Sequence, residues 1–140
     1  MNTNLTKARN TLEANGYTCV ICRDDRILTD TRRGIRPLME LLENSVDLSG
    51  YSAADKVVGK AAAFLYHLLG VEAVYAQVIS QPAADILCHY GIKLEYGCLV
   101  PAIRNRDNTG FCPMESAVLH IDDPEEALAA VRQTLANLEK

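Results

Sequence analysis

The stretch from residue 71 to residue 96 constrains the fold more than any other part of the chain. Residues 71–79 are rich in Val, Ala and Ile without a clean alternation, the pattern of a strand covered on both faces. Ser80 then stands in the capping position of a helix, with Pro82 in its first turn and Gly91 at its end. Ile92, Leu94 and Tyr96 alternate with Lys93 and Glu95, which predicts a second strand. Strand, helix and strand in that order close as a right-handed crossover with the two strands parallel. Parallel strands need cover on their faces, so helices must pack against a sheet.

The rest of the chain extends this frame. Thr3 or Asn4 can cap a first helix that carries Leu5, Ala8 and Leu12 at helical spacing, and Asn15-Gly16 offers a left-handed stop. Residues 17–23 and 26–29 flank Asp24-Asp25 and read as a β-hairpin. Pro37 fits the first turn of a short helix with Leu38, Met39, Leu41 and Leu42, and residues 44–50 read as a loop. Ser52 followed by Asp55 resembles a capping box, and the apolar run that continues to Leu69 before Gly70 predicts a long central helix. Cys112-Pro113 starts a short helical turn. Asp123-Pro124-Glu125-Glu126 opens a last amphipathic helix whose acidic first turn suits the helix dipole. The expected architecture is a single α/β domain over residues 1–140, a three-layer α/β/α sandwich around a mixed sheet.

Composition narrows the function classes. A chain of 140 residues makes about one domain and buries roughly two-thirds of its unfolded surface without staples. The most apolar stretch, residues 61–69, is far shorter than the ~20 residues a bilayer requires. The chain starts Met-Asn-Thr-Asn-Leu-Thr-Lys with no charged-then-apolar leader, so a cytoplasmic location without membrane contact is expected. Five cysteines are an odd number, and in a reducing compartment they read as free thiols. Cys19 and Cys22 form a C-x-x-C on an expected strand. Residues three apart on a strand face opposite ways, so the pair is badly placed to share a zinc ion. A net charge of −4 argues against non-specific binding to nucleic acid, which depends on clustered Lys and Arg. A small ligand or a protein is the expected partner; a homo-oligomer is plausible for such a fold, and composition does not fix its order.

The order of elements resembles the cytidine deaminase-like fold across nearly the whole chain. The segments Asp55-Lys56-Val57-Val58-Gly59-Lys60-Ala61-Ala62 and Thr109-Gly110-Phe111-Cys112-Pro113-Met114-Glu115 are similar to signatures of a small bacterial family that has this fold and no assigned function. Zinc-dependent deaminases carry His or Cys, any residue, then Glu at the start of the central helix, and Pro-Cys-x-x-Cys at the start of the next. Zinc activates water there, and the Glu moves protons. In this chain Ala53-Ala54-Asp55-Lys56 and Ser80-Gln81-Pro82-Ala83-Ala84 stand at the corresponding places and offer no thiolate or imidazole. The resemblance therefore implies a zinc-less member, with no metal, no cofactor and no zinc-dependent deamination. His67, His89 and His120 fit no ligand pattern.

Several residues are candidates for a pocket. On a helix, Lys56 and Lys60 would share one face near the positive end of the dipole, where Asp55 and an anionic ligand could offset their repulsion; solvated lysines are the alternative. Gly59 would be a helix-interior glycine with a packing or access reason. Arg33, Gly34 and Arg36 precede a helix N-terminus and suit a phosphate, or form a solvated loop. Ser80 caps the helix beside this region. Asn105 and Arg106 belong to a polar stretch that could cover a ligand or simply be a surface loop. Cys112 occupies an N-cap, a position that activates a thiol, and Glu115 stands where a capping box would place it; a plain capped turn is the other reading.

Three functions remain open on this basis. The first is a protein that binds a nucleotide or nucleotide-derived ligand in a degenerate deaminase-like pocket. The second is a metal-independent transferase or hydrolase that uses Lys60 or Cys112 as nucleophile with Glu115 nearby. The third is a non-catalytic structural subunit.

Overall fold

The computed structural model describes residues 3–32, 34–103 and 112–138. Helix α1 (Thr3–Ala14) leads into the hairpin β1 (Cys19–Arg23) and β2 (Arg26–Asp30), followed by α2 (Arg36–Glu43). Strand β3 (Ser52–Val58), helix α3 (Lys60–Leu69), strand β4 (Ala73–Ser80), helix α4 (Gln81–His89) and strand β5 (Lys93–Val100) make two successive crossovers. Helices α5 (Pro113–Val118) and α6 (Pro124–Leu138) complete the described chain. The sheet runs β2-β1-β3-β4-β5. β1 is antiparallel to both its neighbours, and β3, β4 and β5 are mutually parallel, so the sheet is mixed.

Helices cover both faces, as the three-layer reading requires. On one face Leu5, Ala8 and Leu12 of α1 pack against Val20, Cys22, Ala54, Ala73 and Tyr75. On the other, the larger core joins Cys19, Ile21, Ala53, Val74 and Ala76 of the sheet to Leu38, Phe64, Leu65, Leu87, Val118 and Val131 of the helices. The C-x-x-C is split between these layers: Cys19 is in the larger core and Cys22 in the α1 core, and both thiols are free. Among the described residues no helix is long and apolar enough to cross a membrane. The crossover read from residues 71–96 is present, with Ser80 Oγ accepting from Ala83 N at 3.2 Å and Gly91 in the left-handed region at φ 72°.

The long central helix is corrected. Residues 52–58 form β3, and the helix begins only at Lys60. Ser52 therefore opens a strand and not a helix, and Asp55 pairs in register with Cys19 of β1 and Ala76 of β4. The physical reason is that β3 is the middle strand, satisfied by ladders on both edges. Ala53 and Ala54 point to opposite faces and are fully buried, small enough for helices to pack closely on each side. Tertiary pairing overrides the helix propensity of alanine. A smaller correction concerns α1. Gly16 is not left-handed, and the Asn15 side-chain amide instead donates to the Thr11 carbonyl at 2.9 Å, satisfying an end-of-helix acceptor.

Candidate functional site

The carboxyl end of β3, the first turn of α3, the start of α2 and the helices α5 and α6 enclose a cavity of about 700 Å³. In open α/β sheets such an end, where the chain leaves the central strand, is the usual place for a ligand. The walls are largely apolar: Ile35, Val57, Ala61, Ala62, Met114, Leu135 and Leu138 contribute. Polar groups enter from Arg32, Arg36, Asp55, Lys56, Cys112 and Glu115. The two segments that carried the family resemblance meet here, one from β3 to α3 and the other, in its described part, at α5.

Asp55 is the unusual group. Its Oδ2 accepts from Tyr66 Oη at 2.7 Å and its Oδ1 from Val57 N at 3.3 Å. Tyr66 is fully buried on α3, and its hydroxyl also lies 3.4 Å from Cys19 Sγ. Desolvation pushes the Asp55 carboxyl up to about 7, against the bonds from Tyr66 and Val57 that favour its charge. Burial likewise raises the Tyr66 phenol and the Cys19 thiol well above their ordinary ranges, so both keep their protons. A carboxyl with a perturbed proton affinity at the wall of a cleft is a recognised sign of a functional position.

Glu115 takes a role the sequence did not suggest. It does not close a box on Cys112. Its Oε1 accepts from Lys60 N at 2.6 Å and its Oε2 from Ala61 N at 3.0 Å, so it caps α3 across the fold. Gly59 is the N-cap residue of α3 rather than a helix-interior glycine, and a Cβ there would collide with the Glu115 carboxylate. The N-terminus of α3 is thus already occupied by an internal anion.

The helical pairing of Lys56 and Lys60 does not exist. Lys56 is exposed on β3 and lines the cavity. Lys60 lies outside the cavity lining; its Nζ donates to Leu119 O at 3.2 Å and stands 5.9 Å from the Phe64 ring centroid. Gly34, left-handed at φ 76°, and Arg36 border the cavity, whereas Arg33, Asn105 and Arg106 lie outside the described residues. Ser80 is fully buried and spends its hydroxyl on the α4 cap, away from the cavity lining. Cys112 is the N-cap residue of α5, half-buried and cavity-lining, and its side chain makes no capping bond.

Arg32 opens the basic run 32–36 that leads into α2, whereas Tyr66 is not a residue the sequence marks for the cleft. Arg32 is held by Asp30 at 2.7 Å and Glu40 at 2.8 Å on the cavity rim. The one available signal for Tyr66 was a phenol within an otherwise apolar helix, since a buried hydroxyl calls for a partner. Among the described residues no cluster of His, Cys, Asp or Glu is arranged to hold a metal ion.

These features define a three-layer α/β protein with a ligand-sized, mostly apolar cleft beside the carboxyl end of its central strand. Residues 7–135 match the TM1506 family, described as a domain of unknown function (DUF1893), and the chain belongs to that family. A solved DUF1893 family protein (TM1506) from Thermotoga maritima is similar over 98% of this chain and 92% of that one, at 29% identity and a TM-score of 0.83. No curated protein matches the chain significantly.

Proposed function

We propose that the chain binds a small organic anion of nucleotide type in the cleft at the end of β3. The observation that carries this reading is the make-up of the cleft: apolar walls around about 700 Å³, a carboxyl on one wall, and Arg36 and Lys56 at the margin. That volume and character suit a flat, drug-sized body with a few fixed polar contacts. The anionic end belongs with Arg36 and Lys56 and not at the α3 N-terminus, where Glu115 already accepts from Lys60 N and Ala61 N. This location is also what a deaminase-like ancestry would favour. In that view the protein is a zinc-less relative in which the substrate cleft persists, working in the cytoplasm of a bacterium, alone or as a homo-oligomer.

A thermal-shift series tests the proposal, using metal-stripped protein with mononucleotides, the matching nucleosides and sugar phosphates. A ligand at about a hundred times its Kd adds ~2.7 kcal/mol to stability. The expected result is a shift of several degrees with a phosphate-bearing ligand, reduced in Arg36→Ala and Lys56→Ala. No shift with any of these compounds refutes it. A second reading, a metal-independent transferase or hydrolase, rests on Cys112, whose half-buried thiol lines the same cleft. Selective alkylation of Cys112 that a cleft ligand blocks, together with turnover lost in Cys112→Ala, would favour it.

A further inference from the structure

We infer that Asp55 is the specificity-determining residue of the cleft, and that it selects a planar group with two adjacent N–H donors, of which the N1–H and 2-amino edge of a guanine-type base is the nucleotide form. This inference rests on the cleft reading given above and deepens it. The argument starts from proton accounting along a short buried chain. Tyr66 has a single hydroxyl proton, and it lies 2.7 Å from Asp55 Oδ2. The Cys19 thiol, kept protonated by burial, stands 3.4 Å from the same Tyr66 oxygen. With Asp55 ionised, Tyr66 donates its one proton to Oδ2, and the Cys19 thiol is then placed to donate to the Tyr66 oxygen.

The other carboxyl oxygen receives Val57 N–H at 3.3 Å. The protein contacts to the carboxyl, from Tyr66 and from the Val57 and Lys56 amides, are all donors, so its oxygens are already oriented as acceptors. Above about pH 7, where the Asp55 carboxyl is ionised, it has about four acceptor sites and no donor. Tyr66 and the backbone amides of Val57 and Lys56 take up part of this capacity, and Asp55 borders the cavity with what remains. Among the described residues no cation bonds to this carboxyl, which is why desolvation dominates it. A ligand that brings two parallel N–H donors supplies the hydrogen bonds that burial removed, in the side-by-side geometry a carboxylate accepts. Adenine and cytosine present one donor beside one acceptor, which meets an ionised carboxyl with one bond and one lone-pair conflict.

Guanidinium compounds carry the same pair of donors, so the test separates the two sources. Binding of GMP, IMP, AMP and agmatine is measured by calorimetry on the wild-type protein and on Asp55→Asn, with circular dichroism confirming the fold of the variant. IMP differs from GMP only in lacking the 2-amino donor. The expected result is GMP binding about tenfold or more tighter than IMP and AMP, the size of one hydrogen bond to a charged group. In Asp55→Asn, which replaces one acceptor by a donor, that preference collapses. Agmatine binding that exceeds GMP binding and needs Asp55 upholds the donor-pair recognition and assigns a guanidinium compound as its source. Equal binding of GMP, IMP and AMP overturns the inference while the cleft reading stands, and this comparison needs no variant to fold. No binding by any of the four overturns it as well, and the thermal-shift series with its wider set then decides the cleft reading separately.

Discussion

Gly59 and Glu115 make a sharp energetic prediction because the effect of one substitution must vanish in the background of the other. Glu115→Ala removes two charge-assisted bonds, at 2.6 Å to Lys60 N and 3.0 Å to Ala61 N, from the positive end of α3. Loss of an N-cap costs about 0.5–2 kcal/mol, and bonds to charged groups lie at the upper end of such ranges. Glu115 is half-buried, which sets the expected loss at about 2 kcal/mol, or roughly 8 °C for a domain of this size. Gly59→Ala should act through the same contact. Gly59 has φ −100° and ψ −179°, an extended backbone that any residue adopts, so the substitution stores no backbone strain. Its new Cβ instead displaces the far end of the Glu115 side chain. The expected cost is about 1–1.5 kcal/mol, most of the cap. With Glu115→Ala already in place there is nothing to displace. A small entropy gain from replacing glycine then offsets the poorer capping of alanine, leaving a change within about 0.5 kcal/mol. Chemical denaturation of the four proteins of this cycle measures the coupling, expected at about 1–1.5 kcal/mol. A Gly59→Ala cost that is the same with and without Glu115 would refute the reasoning.

Two further outcomes follow from named contacts. The folded-state Asp55 carboxyl titrates near 7, above its ordinary carboxylate range, so between about pH 4 and 7 the folded protein holds a proton that the unfolded chain has released. The stabilisation is complete below about pH 4 and is lost as pH rises to 7. Wild-type protein should therefore weaken by on the order of 1–3 kcal/mol across that window, and Asp55→Asn should remove this slope. Cys19 and Tyr66, the titratable groups bonded along this chain, are both raised by burial and keep their protons throughout the interval; equal slopes in the two proteins would exclude Asp55 as the source. Ser80→Ala deletes the bond from Ala83 N and leaves a fully buried amide without its acceptor, so unfolding monitored by circular dichroism should show a loss of about 1–2 kcal/mol. Ligand affinity in the cleft should not change, since Ser80 is outside its lining.

The parts of this fold that were legible in the sequence are those whose signals are local. Ser80, Pro82 and Gly91 bracket α4 because caps and breakers act within a few residues. The hairpin is marked by Asp24-Asp25, with Asp24 taking the left-handed conformation at φ 53° that the turn needs. Residues 52–58 failed for the opposite reason. Ser52, Ala53, Ala54 and Asp55 resemble a capped helix start, and nothing local reveals that β1 and β4 will pair with both edges. The neglected clue was Val57-Val58-Gly59, a β-branched pair followed by the one residue small enough for the cap that Glu115 provides.

The candidate site was less legible because each of its determinants joins distant parts of the chain. Glu115 lies 55 residues from the amide it caps, and Cys19 lies 47 residues from the Tyr66 hydroxyl. Asp55 and Lys56 were singled out for a charge pattern on a helix. They reach the cleft because they sit near the end of the central strand, where the chain turns into α3. The same rearrangement decides what the cleft can recognise. On the proposed reading, with Glu115 filling the helix terminus, an incoming anion is held at the margin, by Arg36 and Lys56. A polar contact for the body of a ligand is then the Asp55 carboxyl, whose protein partners are all donors. On that reading, specificity in this cleft depends on which donors a ligand brings, and a tyrosine and a cysteine outside the motifs set that property.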